Sequence, residues 1–184
     1  MQKKIHRKKQ TLPWWAWLGG VVILGLLGYG IWTALPSSSA GGLATIDPTP
    51  APAVRFEDIH NTSYTLSEFY SRPTILTFIA LWCSACEYEV AELEKFQKLH
   101  PGEFNYIFVD VDPSKDTRTQ LRQFTEEHRG DNFYFVFDET NAIVDAFGVN
   151  ALQTTFVINT NGDIVYQDAA VTELADFEKL AKQL

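Results

Sequence analysis

The sequence predicts an α/β domain, a central mixed sheet flanked by helices, preceded by one N-terminal transmembrane helix. Three observations carry this. Residues 14–35 form an uncharged, strongly apolar run; from Val54 onward short β-type runs alternate with helical stretches; and Thr160-Asn161-Gly162 near the end marks an antiparallel hairpin. The chain has 184 residues, 46% of them hydrophobic and 14% aromatic, enough for one packed domain and little more. Its net charge of −8 hides an asymmetry. Lys3, Lys4, Arg7, Lys8 and Lys9 stand before the apolar run with no acid, whereas the other 10 basic residues share residues 36–184 with all 23 acidic ones, a balance of −13. An acidic body argues against a nucleic-acid partner. Two cysteines exclude a disulfide-rich scaffold and a zinc site built of cysteine alone.

The organisation is read as a basic tip over 1–13, a transmembrane helix over 14–35, a flexible linker over 36–53 and a folded domain over 54–184. At about 1.5 Å per residue the 22 residues of 14–35 reach roughly 33 Å, against a hydrocarbon core of about 30 Å. Trp14, Trp15 and Trp17 at one end and Tyr29 and Trp32 near the other sit where interfacial aromatics do. The basic tip places the N-terminus in the cytoplasm and the domain outside it, in the periplasm or at the cell exterior. A cleaved signal peptide is the competing reading, because Ser38-Ser39-Ala40 resembles a cleavage site; the apolar run is longer than such peptides use, which favours a retained anchor. Residues 36–53 are rich in Pro, Ser, Gly, Ala and Thr and show no period.

Within the domain, Phe56–Leu66 reads as two short strands around His60-Asn61-Thr62, followed by a helical turn over Ser67–Tyr70. Pro73–Leu81 is a continuous apolar run suited to the middle of a sheet covered on both faces. Ser84–His100 is helical, with Val90, Leu93 and Phe96 on one face; Phe104–Val111 is a second buried strand, and Ser114–His128 a helix with Ser114 as its cap. A strand over Phe133–Phe137, a short helix over Glu139–Phe147, the hairpin strands Thr154–Asn159 and Asp163–Gln167, and an amphipathic helix carrying Leu174, Phe177, Leu180, Ala181 and Leu184 complete it.

Chemistry is concentrated at Trp82-Cys83-Ser84-Ala85-Cys86, where the first central strand ends and the first long helix begins. Free N–H groups and the positive helix end favour a thiolate there. Cys83, at the tip, is the expected attacking sulfur, and Cys86, one turn further in, the resolving thiol. The acids Glu87, Glu89, Glu92 and Glu94 oppose that thiolate, so Cys83 is expected to be less acidic than in strongly oxidising proteins of this kind.

The stretches Thr74–Leu93, Phe108–Asp112 and Phe147–Val165, together with the terminal helix, resemble the membrane-anchored, thioredoxin-like thiol–disulfide oxidoreductases of the TlpA/ResA type over Val54–Leu184. Trp82, Cys83, Cys86 and Glu89 match that family's W-C-x-x-C-x-x-E pattern, and the Glu92-Leu93 pair follows it. The resemblance implies a thioredoxin-like fold and disulfide exchange in exported proteins, of the kind that matures cytochromes c or copper sites. It implies an exported thiol or disulfide protein as substrate, a membrane redox partner, and no cofactor beyond the redox-active disulfide Cys83–Cys86. Trp82, Glu89 and Thr77 would support the pair, and Leu152-Gln153-Thr154 would form the substrate-docking loop.

Three positions depart from the pattern. Gln153 stands where the family carries a cis-proline, so the Leu152–Gln153 bond is either trans or held cis against a cost of about 3–4 kcal/mol. Ser84-Ala85 replaces a proline-containing dipeptide, and Thr77 occupies the place of a buried Asp or Asn, leaving Glu89 to exchange protons. Two further readings stay open. Val109–Thr117 (VDVDPSKDT) is similar to a stretch of the copper-delivering Sco proteins, and two thiolates suit Cu(I); but the cysteine spacing is shorter than in those proteins, Ala151 stands where their histidine would, and His60, His100 and His128 read as surface residues. A static Cys83–Cys86 bridge in an accessory subunit of a membrane complex is the other. A peroxidase reading fails at Ala80, where such a site wants Thr or Ser.

Overall fold

The computed structural model describes residues 45–184. The basic tip, the expected transmembrane segment and the linker up to residue 44 lie outside these residues. Among the described residues no helix is long and apolar enough to cross a membrane.

The described residues form eight strands and four α-helices, in the order β1 (Thr45–Pro50), β2 (Arg55–Glu57), β3 (Ser63–Thr65), a 3₁₀ turn (Leu66–Phe69), β4 (Thr74–Ile79), α1 (Ser84–Leu99), β5 (Asn105–Asp110), α2 (Arg118–Glu127), β6 (Phe133–Phe137), α3 (Ala142–Phe147), β7 (Thr155–Ile158), β8 (Asp163–Asp168) and α4 (Leu174–Ala181). Six strands form one mixed sheet in the order β1-β8-β7-β4-β5-β6. β4 pairs parallel with β5, and β5 with β6, through the α1 and α2 crossovers, while β7, β8 and β1 add antiparallel. β2 and β3 form a separate hairpin, tied to β6 by the Asp58–Val136 bridge.

Alternation along the strands divides the core in two. On one face Ile75 and Ile79 of β4, Tyr106 and Phe108 of β5 and Val157 of β7 pack with Val90, Leu93 and Phe96 of α1, Leu121 of α2 and Phe177 and Leu180 of α4. On the other face Leu76, Phe78, Ile107, Val109 and Phe156 pack with Ile143 and Phe147 of α3 and with the Phe56, Leu66 and Phe69 cluster. β4 is buried at every position, as its unbroken apolar run requires of a strand covered on both faces.

The structure corrects three sequence expectations. The linker does not run to residue 53: Thr45–Pro50 pairs antiparallel with β8, Thr49 opposite Ile164 and Pro50 opposite Asp163. Its two prolines hid the strand, yet an edge strand tolerates them because one side of its ladder has no partner to serve. The second crossover helix starts at Arg118 rather than Ser114, capped by Thr117, whose Oγ1 accepts the Gln120 N–H; residues 112–116 form a tight turn instead. His100 and His128 are not bare surface residues, since His100 bonds Glu103 and Glu178 and His128 bonds Glu94.

The β7–β8 turn matches its Asn-Gly signature: Gly162 has φ +84° and its N–H returns to the Asn159 carbonyl. A Cβ at Gly162 would sit 2.4 Å from the Tyr70 ring. Gly162→Ala is therefore expected to destabilise the domain by about 2–4 kcal/mol, combining left-handed strain with overpacking. Chemical denaturation measures it.

Candidate active site at the β4–α1 turn

β4 ends at Ile79, and Ala80, Leu81 and Trp82 carry the chain to the tip of α1. Cys83 is the N-cap of that helix: its extended backbone places Sγ to accept the Cys86 N–H at 3.2 Å. Its carbonyl takes the Glu87 N–H, and its own N–H bonds the Ala80 carbonyl. The two sulfurs are joined as a disulfide with Cα atoms 5.2 Å apart. Cys83 is partly exposed and Cys86 is buried in the α1-face core. An outside reagent therefore reaches the first sulfur and not the second.

One turn beyond Cys86, Glu89 is fully buried. The sequence alone leaves open whether this carboxyl is solvated, and the structure places it inside. Thr77 and Thr155 face it from the paired strands β4 and β7. Thr155 Oγ1 lies 2.9 Å from Glu89 Oε1 and 3.1 Å from Thr77 Oγ1. The Thr155 hydroxyl thus links the Glu89 carboxyl to the Thr77 hydroxyl. The Thr172 N–H also bonds Oε1, while Oε2 has no partner among the described residues. Burial is the main cause that pushes Glu89 up to about 7, against the opposing hydrogen bonds from Thr155 and Thr172. Thr77 thus touches the carboxyl only through Thr155. Thr155 and Thr172 were missed by sequence reasoning; a threonine in register with Thr77 was the available signal for the first.

Leu152-Gln153-Thr154 borders this site. Leu152 packs against the core cluster that contains Cys86. The Gln153 N–H bonds the Phe78 carbonyl, and the Phe78 N–H bonds the Thr154 carbonyl, so the loop is stitched to the end of β4. No peptide bond among the described residues is cis. Gln153 meets the turn with φ +61°, a left-handed conformation that favours glycine, and its Nε2 is buried without a partner among the described residues.

A second group of residues holds the redox turn from the β5 side. Trp82 is half exposed (52%), and its indole N–H donates to Asp112 Oδ2 at 2.9 Å. Lys115 Nζ lies 4.1 Å above the ring and 3.2 Å from the same carboxylate. Hydrogen bonds from Ser114, Lys115 and Trp82 bring Asp112 down to about 2. Asp116 Oδ2 accepts the Leu81 N–H at 2.9 Å. These residues belong to the stretch resembling Sco proteins, but among the described residues no group of three or more His, Cys, Asp or Glu is arranged to hold a metal, and Ala151 is exposed.

Comparison with known proteins agrees with this geometry. The Redoxin family model matches residues 47–184, starting within β1. Thioredoxin-like protein YneN of Bacillus subtilis is 23% identical over 155 residues, 84% of this chain and 89% of that protein. Thiol-disulfide oxidoreductase ResA of the same organism is 28% identical over 146 residues, covering 79% of this chain and 78% of that one. Among solved structures, a DsbF homologue from Corynebacterium diphtheriae superposes with a TM-score of 0.68 at 15% identity (82% of this chain, 98% of that chain). StoA from Bacillus subtilis superposes with a TM-score of 0.60 at 18% identity (72% and 98%). These superpositions carry the fold, and the family match over three quarters of the chain carries the kinship. The chain belongs to the Redoxin family, as a thiol–disulfide oxidoreductase of thioredoxin-like fold.

Proposed function

We propose that this protein is a membrane-tethered enzyme that reduces disulfides in exported proteins, of the kind met in cytochrome c or copper-site maturation, through Cys83 and Cys86. The observation that carries the reading is the division of labour between the two sulfurs: Cys83 partly exposed at the helix tip, Cys86 buried behind it. In the reduced enzyme the Cys83 thiolate attacks a substrate disulfide, forming a mixed disulfide and releasing one substrate thiolate. The Cys86 thiolate then attacks Cys83 Sγ, expels the second substrate thiolate and closes the Cys83–Cys86 bond. Two electrons pass from the enzyme dithiol to the substrate, and a membrane redox partner returns them. Glu89, one turn from Cys86 and poised near neutrality, takes the Cys86 proton as that sulfur attacks. Leu152-Gln153-Thr154 borders the groove in which substrate backbone docks, and Trp82 stands at its exposed rim.

The tether rests on sequence. Residues 14–35 span a bilayer core in length, and five basic residues before them keep that end cytoplasmic, with the catalytic domain extracytoplasmic in the periplasm or at the cell exterior.

The test is a dithiothreitol/glutathione titration with thiol counting, repeated on Cys86→Ser. The expected results are a reversible two-electron transition in the wild type and, in the variant, a mixed disulfide trapped at Cys83. A pair that never cycles would instead make the bridge static, as in an accessory subunit; a signal that changes only with Cu(I) would make the protein a copper handler.

A further inference from the structure

Behind the redox turn lies a buried carboxyl that the exchange chemistry does not use. Asp110 ends β5, in register with Ile79 of β4 and Phe137 of β6. By strand alternation it shares the face of Tyr106 and Phe108, the face that α1 covers. It is fully buried. Its Oδ1 accepts the Asp112 N–H, while Oδ2 has no donor among the described residues. The Asp116 carboxyl, itself buried, is close enough to Asp110 to act on it both as a like charge and as a hydrogen-bond partner. Two ionised carboxylates are acceptors only, so a hydrogen bond between these two side chains requires a proton on one of them.

The same three acids grip the turn that presents Cys83. Asp116 holds the Leu81 N–H, Asp112 holds the Trp82 indole, and Asp110 holds the Asp112 backbone. We propose that Asp110, Asp112 and Asp116 form a positioning clamp for the Leu81–Cys83 turn, and that a single proton shared by Asp110 and Asp116 keeps it closed.

The surroundings leave Asp110 little else to answer to. Ile79 and Phe137 beside it are apolar. Asp138, next on β6, gives its backbone N–H to the Asp110 carbonyl and turns its carboxylate to the N–H groups of Ile143 and Val144. Glu89, the buried acid of α1, bonds Thr155 on the far side of β4. The nearby cations are engaged, Lys115 with Asp112 and Arg118 with Glu57. Burial, with Asp116 and Asp112 adding like charge, pushes Asp110 up to about 7, so the clamp's proton is lost across neutrality.

The clamp rests on the reading that exchange begins at Cys83, but its test does not depend on turnover. In the oxidised full-length protein in detergent the cysteines do not titrate. The emission of Trp82, taken as the difference between the full chain and Trp82→Phe, is expected to change in one step centred near neutral pH. Asp110→Asn is expected to abolish the step and Glu89→Gln to leave it in place. In Asp116→Asn the new amide donates to Asp110, holding Leu81 through its carbonyl, and the step moves down by about one pH unit or more. The rate of reduction by dithiothreitol, divided by the reagent's thiolate concentration, is expected to fall about threefold or more across the same step in the wild type and to lose that inflection in Asp110→Asn. A step absent from the wild type, indifferent to both Asp variants, or removed by Glu89→Gln overturns the proposal. If Asp110→Asn does not fold, the shift in Asp116→Asn decides alone. A clamp step without any mixed disulfide at Cys83 would leave the clamp standing and remove the exchange reading, so the two fail separately.

Discussion

Replacing Cys83 with serine is expected to lower reduction of a protein disulfide such as insulin's by about a thousandfold or more while leaving the domain folded, because an alkoxide is not available near neutral pH to do what a thiolate does. The fold survives for two reasons that the structure makes specific. Cys83 is the N-cap of α1 through its Sγ, and a serine Oγ is among the best replacements for that role. The disulfide closes a loop of only three residues' separation, too short to restrict the unfolded chain much. Cys83→Ala removes the cap as well and is expected to cost about 1 kcal/mol in addition, so comparing the two variants by denaturation separates the sulfur's structural duty from its chemical one. A Cys83→Ser variant with residual exchange above that level would move the attack to Cys86, which burial makes the less accessible sulfur.

The sheet and the position of the cysteines were legible in sequence because both depend on local, repeated signals. The apolar run at β4, the three-residue recurrence of Val90, Leu93 and Phe96, and the Asn-Gly turn each specify an element without reference to the rest of the chain. The cysteine pair inherits its place from two such elements meeting. What was not legible depended on partners distant in sequence. β1 is a strand only because β8 offers it a ladder, and its own Pro-rich composition argues against it. Residues 114–117 have good capping letters, but Asp116 is spent on Leu81, 35 residues earlier, and the helix waits for Thr117.

The acids show the same limit more sharply. Glu87, Glu89, Glu92 and Glu94 look alike in a helix, yet Glu87 is exposed, Glu92 is buried but bonds Lys95 and the Leu174 N–H, Glu94 meets His128, and Glu89 is buried against Thr155 and Thr172 under the sulfurs' helix turn. Asp110, Asp112 and Asp116 likewise stand together in the stretch similar to Sco proteins, and the structure spreads them over a strand end, an indole and a backbone amide. Charge in a sequence gives the count of acids; the fold decides which of them must give up water.

Glu89→Gln is the variant in which that decision has the largest measurable consequence. The Glu89 carboxyl ionises near 4.5 when the chain is unfolded and at about 7 in the folded domain, chiefly because burial penalises the charge. Between those values the folded state holds a proton that the unfolded state has released, so folding stability falls as pH rises. The contribution is fully present below about pH 4.5 and is lost as pH passes through about 7, a span worth on the order of 3 kcal/mol for this group. Glutamine has nearly the same shape, keeps a carbonyl to accept from Thr155 and from the Thr172 N–H, and never ionises. Denaturant midpoints are therefore expected to converge for wild type and Glu89→Gln near pH 4.5 and to separate by pH 8, with the variant the more stable by roughly that amount. The same substitution is expected to slow exchange about tenfold to a hundredfold near pH 7, since no group then takes the Cys86 proton in the resolving step. Stability gained and activity lost at one residue is the signature of a buried acid kept for chemistry. A variant that loses activity and stability together would show that Glu89 only packs the base of α1, and equal stability of the two proteins at both pH values would show that the Glu89 carboxyl ionises in the folded domain near its unfolded value.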